Sequence, residues 1–472
     1  MSGPALTAPA ALRGFAGRVS LPGQPGYDRG RRAWQLTVDQ HPALVAEAAC
    51  AADVQVAVRA ARELDLPFAV MGTGHGAVAP LDGGLLLQTS RLTGVRVDPL
   101  ARTARVGAGT TWDEVVAAAE PYALVPVCGT ASSVGVAGYT LQGGLGWLSR
   151  RYGFAADNLL EAEVVTADGD LVTASAQRHA DLFWALRGGG GSFGVATALT
   201  FRLHPVPGVL GGAAYYPIER AEQVLATYRD WAVDEPRGLS TALLLIQMPD
   251  RPSVPEQFRN RRVLVVRAFA LCDDDAGEAR ARQCLEPLLA AAGEPLLDAI
   301  APTGFAEMLR RQGPPPPPVA ATERIDLFDT LPDGALRAVL DAAGADADDR
   351  VACIEVKGWG GAIADSPSGA GPTSHRSTAF SAITGARFGG RPDQQVSAAV
   401  ADTAAALAPY ASGGSLLNLL ADPTRTRTAF TADNWRGLTE VKRRWDAEDV
   451  FRAGHHVPPA PRTHPLEETD DR

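Results

Sequence analysis

The spacing of hydrophobic residues predicts the secondary structure of the first half of the chain. Apolar residues at helical intervals after Asp53 predict an amphipathic helix, and a capping box from Thr111 to Glu114 predicts the start of another. Alternate apolar residues over 195–203 predict a strand with one buried face, and Asp168-Gly169 predicts a hairpin turn. Other short apolar runs predict strands at 66–70, 85–88, 94–97, 104–106, 162–167 and 170–175.

The pattern changes after Pro205 and Pro207, which end the alternating strand and indicate a domain boundary near residue 207. From 208 to 415, strand-like segments alternate with Ala- and Leu-rich helical runs, which predicts an α+β domain. The predicted strands are 241–247, 262–268, 351–357 and 378–383, and the predicted helices are 276–291 and 397–408. Residues 1–26 are predicted to be a flexible arm, and the acidic tail 461–472 is predicted to be disordered.

Composition limits the function classes. With 46% hydrophobic and 21% charged residues among 472, the chain is typical of a globular protein. The net charge of −10 argues against a nucleic-acid partner, which requires clustered Lys and Arg. We expect no membrane span, because no run of eighteen apolar residues occurs, and a cytoplasmic location, because no signal-peptide pattern is evident. Five scattered cysteines without a C-x-x-C pair predict neither a metal site nor a disulfide framework.

The segment with the clearest chemical meaning is Gly72-Thr73-Gly74-His75-Gly76, directly after the predicted strand at 66–70. Glycines at a strand-to-loop turn allow successive backbone N–H groups to approach a ligand and form an anion-binding nest that suits a pyrophosphate. A histidine between these glycines is held against whatever the nest binds. This arrangement suits a protein that holds a dinucleotide and can bond to it covalently. The alternative is a histidine that only hydrogen-bonds within a tight turn.

An ordered series of such segments resembles a known family. It is similar to the berberine-bridge-enzyme-like branch of the vanillyl-alcohol oxidase and p-cresol methylhydroxylase (PCMH) superfamily. The matching segments are 72–76, 83–92, 106–112, 133–139, 143–153, 157–158, 182–195 and 446–459. The resemblance implies an α+β fold: a two-subdomain PCMH-type FAD-binding domain over 27–207 and a substrate-binding domain over 208–415, an antiparallel sheet with covering helices. A C-terminal segment over 416–460 is expected to return to the FAD domain.

The resemblance also implies how FAD is held. His75 would carry a single covalent link to the flavin, and Gly72, Thr73, Gly74 and Gly76 would contact the pyrophosphate. The other cofactor-binding residues that it implies are Ser133, Gly135 and Gly138 in a loop that passes the flavin ring, Gly143 and Gly144 at the following turn, and Gly194 and Val195 at the adenine–ribose half.

A second link is not expected. The second attachment residue of some relatives aligns with Ala131, and Cys128 is displaced from that position. We therefore interpret Cys128 as a small buried residue. The glycine pattern at 189–194 also fits a nicotinamide-binding motif, but a strand rather than a helix follows it, so we reject that interpretation.

The catalytic residues implied are Val134, where a small side chain is associated with access of dioxygen, Tyr139, where many relatives have histidine, and Asn418. Relatives usually carry a tyrosine two residues before that asparagine, but here Leu416 occupies the position. A general base, which contributes roughly 10²–10⁴-fold, would then come from elsewhere. The candidates are Tyr139, Tyr152, His375 and Glu355.

The function implied is that of an FAD-dependent oxidoreductase. We expect an oxidase that moves a hydride from a C–H bond of a small molecule, such as a secondary metabolite, to flavin N5 and reduces dioxygen to hydrogen peroxide. The missing tyrosine leaves two alternatives open: a cyclase that uses FAD as a scaffold or internal redox relay, and a flavin-binding protein without catalysis. The sequence assigns no oligomeric state.

Overall fold

The computed structural model describes residues 9–252, 254–311, 317–367, 369–387 and 393–461. The described residues up to 207 contain two small sheets with helices between them, and a separate two-stranded sheet. The strands are β1 (Arg18–Ser20), β2 (Leu44–Glu47), β3 (Phe68–Met71), β4 (Leu85–Gln88), β5 (Val95–Asp98), β6 (Thr103–Gly107), β7 (Leu124–Val125), β8 (Leu159–Val165), β9 (Leu171–Ser175), β10 (Val195–Arg202) and β11 (His204–Pro205), of which β7 and β11 form the two-stranded sheet. The helices are α1 (Tyr27–Arg31), α2 (Ala51–Glu63), α3 (Trp112–Ala119), α4 (Val136–Leu141), α5 (Ser149–Tyr152) and α6 (Ala180–Leu186).

The two sheets form two subdomains. The first has the strand order β1-β2-β4-β3, in which β2, β4 and β3 are parallel. The second has the order β5-β6-β10-β8-β9 and is antiparallel. Helix α2 packs its apolar face against the first sheet and against Val165 and Val195 of the second, so one core joins both sheets. Because β3 runs parallel to its neighbours, the histidine loop emerges at the carboxyl edge of the first sheet.

The N-terminal region differs from the prediction of a flexible arm. Strand β1 pairs with β2, Leu12 and Leu21 are buried in the core beside α2, and the backbone N–H of Ala16 donates to Asp53 at 2.6 Å. Residues 9–26 are therefore part of the first subdomain, because their few apolar side chains complete its core. Residues 1–8 of the expected arm, and residues 462–472 of the expected disordered tail, lie outside the described residues.

Beyond residue 207 an eight-stranded antiparallel sheet begins, in the order β15-β12-β14-β13-β18-β19-β17, with β16 also paired to β12. Its strands are β12 (Val209–Pro217), β13 (Leu239–Gln247), β14 (Arg262–Leu271), β15 (Leu297–Asp298), β16 (Ala301–Thr303), β17 (Ala321–Phe328), β18 (Cys353–Gly358) and β19 (Phe380–Arg387). The helices of this part are α7 (Ala221–Trp231), α8 (Gly277–Ala292), α9 (Phe305–Arg311), α10 (Asp333–Ala343), α11 (Asp393–Leu407) and α12 (Ala432–Trp445).

The two faces of this large sheet have different environments. Helices α7, α8, α10 and α11 contribute apolar side chains to a core on one face. The opposite face, which we call the inner face, packs against 145–154 of the first domain and against 416–419. Helix α12 returns to the first domain, where Leu438 and Val441 join its core. Within the part of the chain that the structure describes, no helix is long and apolar enough to cross a membrane.

Candidate functional site

The histidine loop begins directly after β3. Within the described residues, no backbone N–H group from 72 to 76 donates a hydrogen bond to protein. Successive N–H groups without protein acceptors suit an anion such as a diphosphate. Gly74 has φ +76°, and a Cβ there would lie 2.7 Å from the Cα of Ala33. Both the backbone angle and this close approach require glycine at 74.

His75 is held by polar contacts on both ring nitrogens. Its Nδ1 lies 3.0 Å from Oγ1 of Thr73, and its Nε2 lies 3.4 Å from Oγ of Ser133. Burial disfavours the charged ring and lowers the pKa of His75 to about 4. The imidazole is therefore neutral at physiological pH, and one of its nitrogens carries a free lone pair.

The second glycine loop faces the first. The carbonyl of Val134 accepts from the N–H of Trp112 at 3.1 Å, and the N–H of Val136 donates to Thr110 at 2.9 Å, which fixes the loop on α3. Thr73 approaches to 3.6 Å from the position of a Cβ on Gly135. A Cβ on Gly138 would meet no heavy atom within 4 Å, and one on Gly76 would meet its nearest at 3.8 Å. Both loops thus border open space, so backbone groups and His75 fit an extended dinucleotide such as FAD.

Asn418 connects the C-terminal segment to the turn after the second loop. Its Oδ1 accepts from the N–H of Gly144 at 2.7 Å, and its Nδ2 donates to the carbonyl of Tyr139 at 3.0 Å. Gly143 lies beside the same side chain, because a Cβ there would be 3.5 Å from Oδ1. Asn418 therefore fixes the backbone of 139–144, and its role in this structure is to position that turn.

Tyr139 does not support the expected catalytic role. Its ring packs edge-on against Trp112, with centroids 5.5 Å apart, and lies close to Gly144 and Gly146. The hydroxyl is buried with no hydrogen-bond partner among the described residues, and burial raises its pKa well above 10. A buried atom without solvent-accessible surface cannot touch a ligand in the open space between the loops. The correction follows from packing: the phenol fills the core behind the second loop.

Gly194 and Val195 are also placed by packing. Val195 is 2% exposed, pairs with Val165 in the ladder between β10 and β8, and contacts the α2 core. A side chain on Gly194 would collide with Val164. The Val195 side chain therefore belongs to the core, and a contact of the Gly194 and Val195 backbone with the adenine–ribose half stays a prediction.

A group of charged residues lies on the inner face of the large sheet. Glu355 and Lys357 project from β18 on this face, and Arg267 of β14 lies in the same cross-strand row as Lys357, with Ala242 between them. The Arg267 guanidinium lies 3.4 Å from Glu355, and Nζ of Lys357 lies 5.2 Å from the ring centre of Trp147. Burial lowers the pKa of Lys357, since a low-dielectric environment disfavours the ammonium.

This charged group borders the turn that Asn418 holds at 139–146, which we call the flavin-side turn. Trp147 follows the turn at 143–146, and Leu145, Leu416 and Leu419 pack against the same inner face near Ile383. The turn held by Asn418 and the lysine above Trp147 thus belong to one region between the domains.

Comparison with known proteins agrees with this arrangement. Residues 42–175 match the FAD binding domain family. Over 246 residues the chain is 35% identical to (R)-6-hydroxynicotine oxidase of Paenarthrobacter nicotinovorans, covering 50% of this chain and 51% of that protein. The chain contains an FAD binding domain and is similar in sequence to FAD-linked oxidoreductases. Its match therefore spans about half the length of this curated relative.

Solved structures of the family share the fold over nearly the whole chain. The crystal structure of 6-hydroxy-D-nicotine oxidase from Arthrobacter nicotinovorans superposes with a TM-score of 0.81 at 24% identity, covering 94% of this chain and 98% of that one. Berberine bridge enzyme from Eschscholzia californica superposes with a TM-score of 0.80 at 18% identity, covering 96% and 98%. At these identities the likeness establishes the PCMH-type α+β fold.

Two of the four candidate bases are engaged elsewhere. His375 Nε2 lies 2.8 Å from the carbonyl of Thr428, which makes it a donor within the C-terminal segment. Tyr152 stacks on His204, with ring centroids 3.6 Å apart. Of the four candidates, Glu355 remains the one that shares a face with other charged groups near the flavin-side turn.

Sequence reasoning missed Lys357, Arg267 and Trp147. A signal for the lysine was available, because Glu355 and Lys357 occupy alternate positions in a strand whose intervening residues, Ile354 and Val356, are apolar. Such alternation indicates one buried apolar face and one charged face. No sequence signal indicated that Trp147 of the other domain would cover the lysine.

Proposed function

We propose that this chain is an FAD-dependent oxidase that takes a hydride from a small-molecule substrate and reduces dioxygen to hydrogen peroxide. The observation that carries the proposal is the histidine loop, in which unpaired N–H groups and a neutral imidazole border open space opposite the second glycine loop. FAD, when bound, supplies the hydride acceptor. The protein residues bind it, orient it and manage protons.

We further propose one covalent link between His75 and FAD. A neutral ring is required because the attacking nitrogen must carry a lone pair, and the lowered pKa supports that state over the physiological range. The contacts from Thr73 and Ser133 restrict rotation of the ring. A covalent bond would retain FAD when the protein unfolds.

On the substrate side we propose Lys357 as the proton acceptor, with Glu355 and Arg267 setting the local charge. Burial lowers the pKa of this lysine and so favours the neutral amine that a proton acceptor requires. Oxidation of an alcohol needs such a group, since its O–H proton leaves as the hydride moves. Leu419 is partly exposed beside the inner face and suits a largely apolar substrate, and we propose a secondary metabolite as its class.

The test is aerobic turnover by the purified protein. We expect a substrate panel of alcohols, amines and phenolic secondary metabolites to include compounds that bleach the flavin without oxygen and yield one hydrogen peroxide per product with oxygen. Bleaching without later reoxidation would contradict the oxidase. Product formation with neither bleaching nor oxygen uptake would indicate the cyclase instead.

Replacing Cys128 with serine is expected to leave the acid-stable flavin unchanged. Cys128 is 1% exposed, and burial raises the pKa of its thiol to about 12, so the thiolate that could form a second bond is absent at neutral pH. Acid precipitation followed by absorbance of pellet and supernatant measures this. Flavin in the supernatant of Cys128→Ser, but not of wild type, would place the attachment at Cys128. Flavin that stays attached in His75→Ala but is released when Cys128→Ser is added would reveal a second link.

Replacing Val134 with leucine is expected to slow reoxidation of the reduced flavin by dioxygen by about tenfold. Val134 is half-buried, packs against the core of the first domain and has its backbone carbonyl held by Trp112, so we expect an added methylene to extend into the space beside the flavin. Stopped-flow measurement of both half-reactions compares the variant with Val134→Ala, which should reoxidise at least as fast as wild type. Equal slowing of reduction and reoxidation in Val134→Leu would make Val134 a packing residue only.

A further inference from the structure

Trp34 covers one face of the His75 ring. The two ring centroids are 4.2 Å apart and the planes are inclined by 16°, which is a stacked arrangement. Thr73 and Ser133 contact the ring nitrogens in its plane, so they restrict in-plane rotation. The indole restricts the remaining motion, which is tilting of the plane.

The backbone that carries the indole is held by hydrogen bonds to both domains. The N–H of Trp34 donates to Thr73 at 3.3 Å, and that of Gln35 donates to Gly74 at 3.2 Å. On its other side, Val319 donates to the carbonyl of Trp34 at 3.1 Å, and Leu36 donates to Val319 at 2.9 Å. The short segment 34–36 therefore lies between the histidine loop and the lead-in to β17.

From this geometry we propose that Trp34 is a positioning residue for covalent attachment of FAD: its stacked indole fixes the plane of His75 so that a ring nitrogen meets the flavin at bonding distance. The inference rests on the proposed link through His75. It extends that proposal, because the rate of attachment would depend on Trp34, which lies outside the glycine loop. It also links attachment to the substrate domain, because Val319 of that domain holds the backbone of Trp34.

The attachment reaction shows why ring orientation matters. The lone-pair nitrogen of the ring forms one N–C bond to the 8α carbon of the flavin, while one hydrogen leaves that carbon and the N–H proton leaves the other ring nitrogen. The two electrons and two protons released pass to dioxygen as hydrogen peroxide. The nitrogen lone pair lies in the ring plane, so a tilted ring points it away from the carbon, and misplacement by about 1 Å can cost roughly 100-fold in rate.

The test compares Trp34→Leu with Trp34→Phe in the full-length chain. Apoprotein from riboflavin-limited cells is mixed with FAD, and acid-stable flavin is followed with time. We expect attachment to slow by about 10- to 100-fold in Trp34→Leu and to stay within about threefold of wild type in Trp34→Phe, which keeps a stacking ring. FAD affinity, measured in a His75→Ala background where no bond forms, should change less than about threefold.

Three outcomes decide the matter. Attachment at the wild-type rate in Trp34→Leu overturns the inference. A loss of FAD affinity that equals the loss of attachment rate in both Trp34 variants also overturns it, because Trp34 would then support folding or binding only. Absence of acid-stable flavin in wild type rejects the His75 link itself and is thereby distinguished from failure of the positioning role.

Discussion

Replacement of His75 with alanine is expected to turn a permanently attached flavin into one that is released completely on denaturation. His75 is the histidine of the glycine loop, its ring is neutral because burial lowers its pKa to about 4, and Thr73 and Ser133 hold its nitrogens. Acid precipitation and flavin fluorescence in a denaturing gel measure the attached fraction. We expect nearly full retention in wild type and none in His75→Ala.

His204 provides a matched control. Burial also lowers the pKa of His204 to about 4, but its Nε2 contacts Asn158 and its ring stacks on Tyr152, outside the glycine loop. His204→Ala should therefore keep the flavin attached. Retention of flavin by denatured His75→Ala would contradict the proposed attachment site. Complete release from wild type would show that FAD is held without a covalent bond.

Replacement of Lys357 with methionine should slow flavin reduction by roughly 10²–10⁴-fold with an alcohol substrate. Methionine approximates the length and apolar stem of lysine but cannot accept a proton. Because burial lowers the pKa of Lys357, the wild-type rate should fall as the pH decreases and the amine becomes protonated. Anaerobic stopped-flow measurement over a pH series should show this decline in wild type and its absence in Lys357→Met.

The variant Arg267→Met is a control that distinguishes proton transfer by Lys357 from an effect of its positive charge alone. Arg267 carries a positive charge on the same row of the inner face and lies 3.4 Å from Glu355, but guanidinium does not act as a base. We expect Arg267→Met to change the reduction rate by less than about tenfold and to keep the pH dependence. An equal loss in both variants, with an unchanged pH profile, would mean that Lys357 acts only through its charge.

In the proposed enzyme, the two glycine loops bind FAD and the inner face supplies the proton acceptor. The loops and His75 lie at the carboxyl edge of the first sheet and face α4, whereas Lys357 and Glu355 lie on the sheet of the other domain. Asn418 connects them, because it fixes the turn at 139–144 from a segment that packs on the inner face. Substitutions in the C-terminal segment are therefore expected to alter the backbone position of the flavin-side turn.

Several elements could be predicted from the sequence because they depend on neighbours within a few residues. The capping box places the start of α3 at Trp112, since Glu114 accepts from the N–H of Thr111 at 2.8 Å. The Asp168-Gly169 turn joins β8 to β9, and alternation over 195–203 corresponds to β10. The glycine–histidine loop was evident for the same reason, because the positive φ angle at residue 74 is a local requirement that glycine meets.

Other features depended on which faces meet in three dimensions. Nothing near residue 139 indicates that its hydroxyl is buried, because Gly144, Gly146 and Trp112 close around it only after folding. Likewise, an arm rich in Ala and Gly shows no periodicity, yet Leu12 and Leu21 complete a core formed mainly by α2.

By itself, the sequence determined the local elements, the histidine loop and the resemblance that implies FAD. These features depend on the spacing and backbone requirements of residues that are close together in the chain. Only the tertiary structure decided that Trp34 stacks on His75, that Asn418 fixes the 139–144 turn, and that Lys357 lies above Trp147. These contacts join residues 41, 274 and 210 positions apart in the chain. They form because packing of the two domains brings separate apolar surfaces together and carries the polar groups with them.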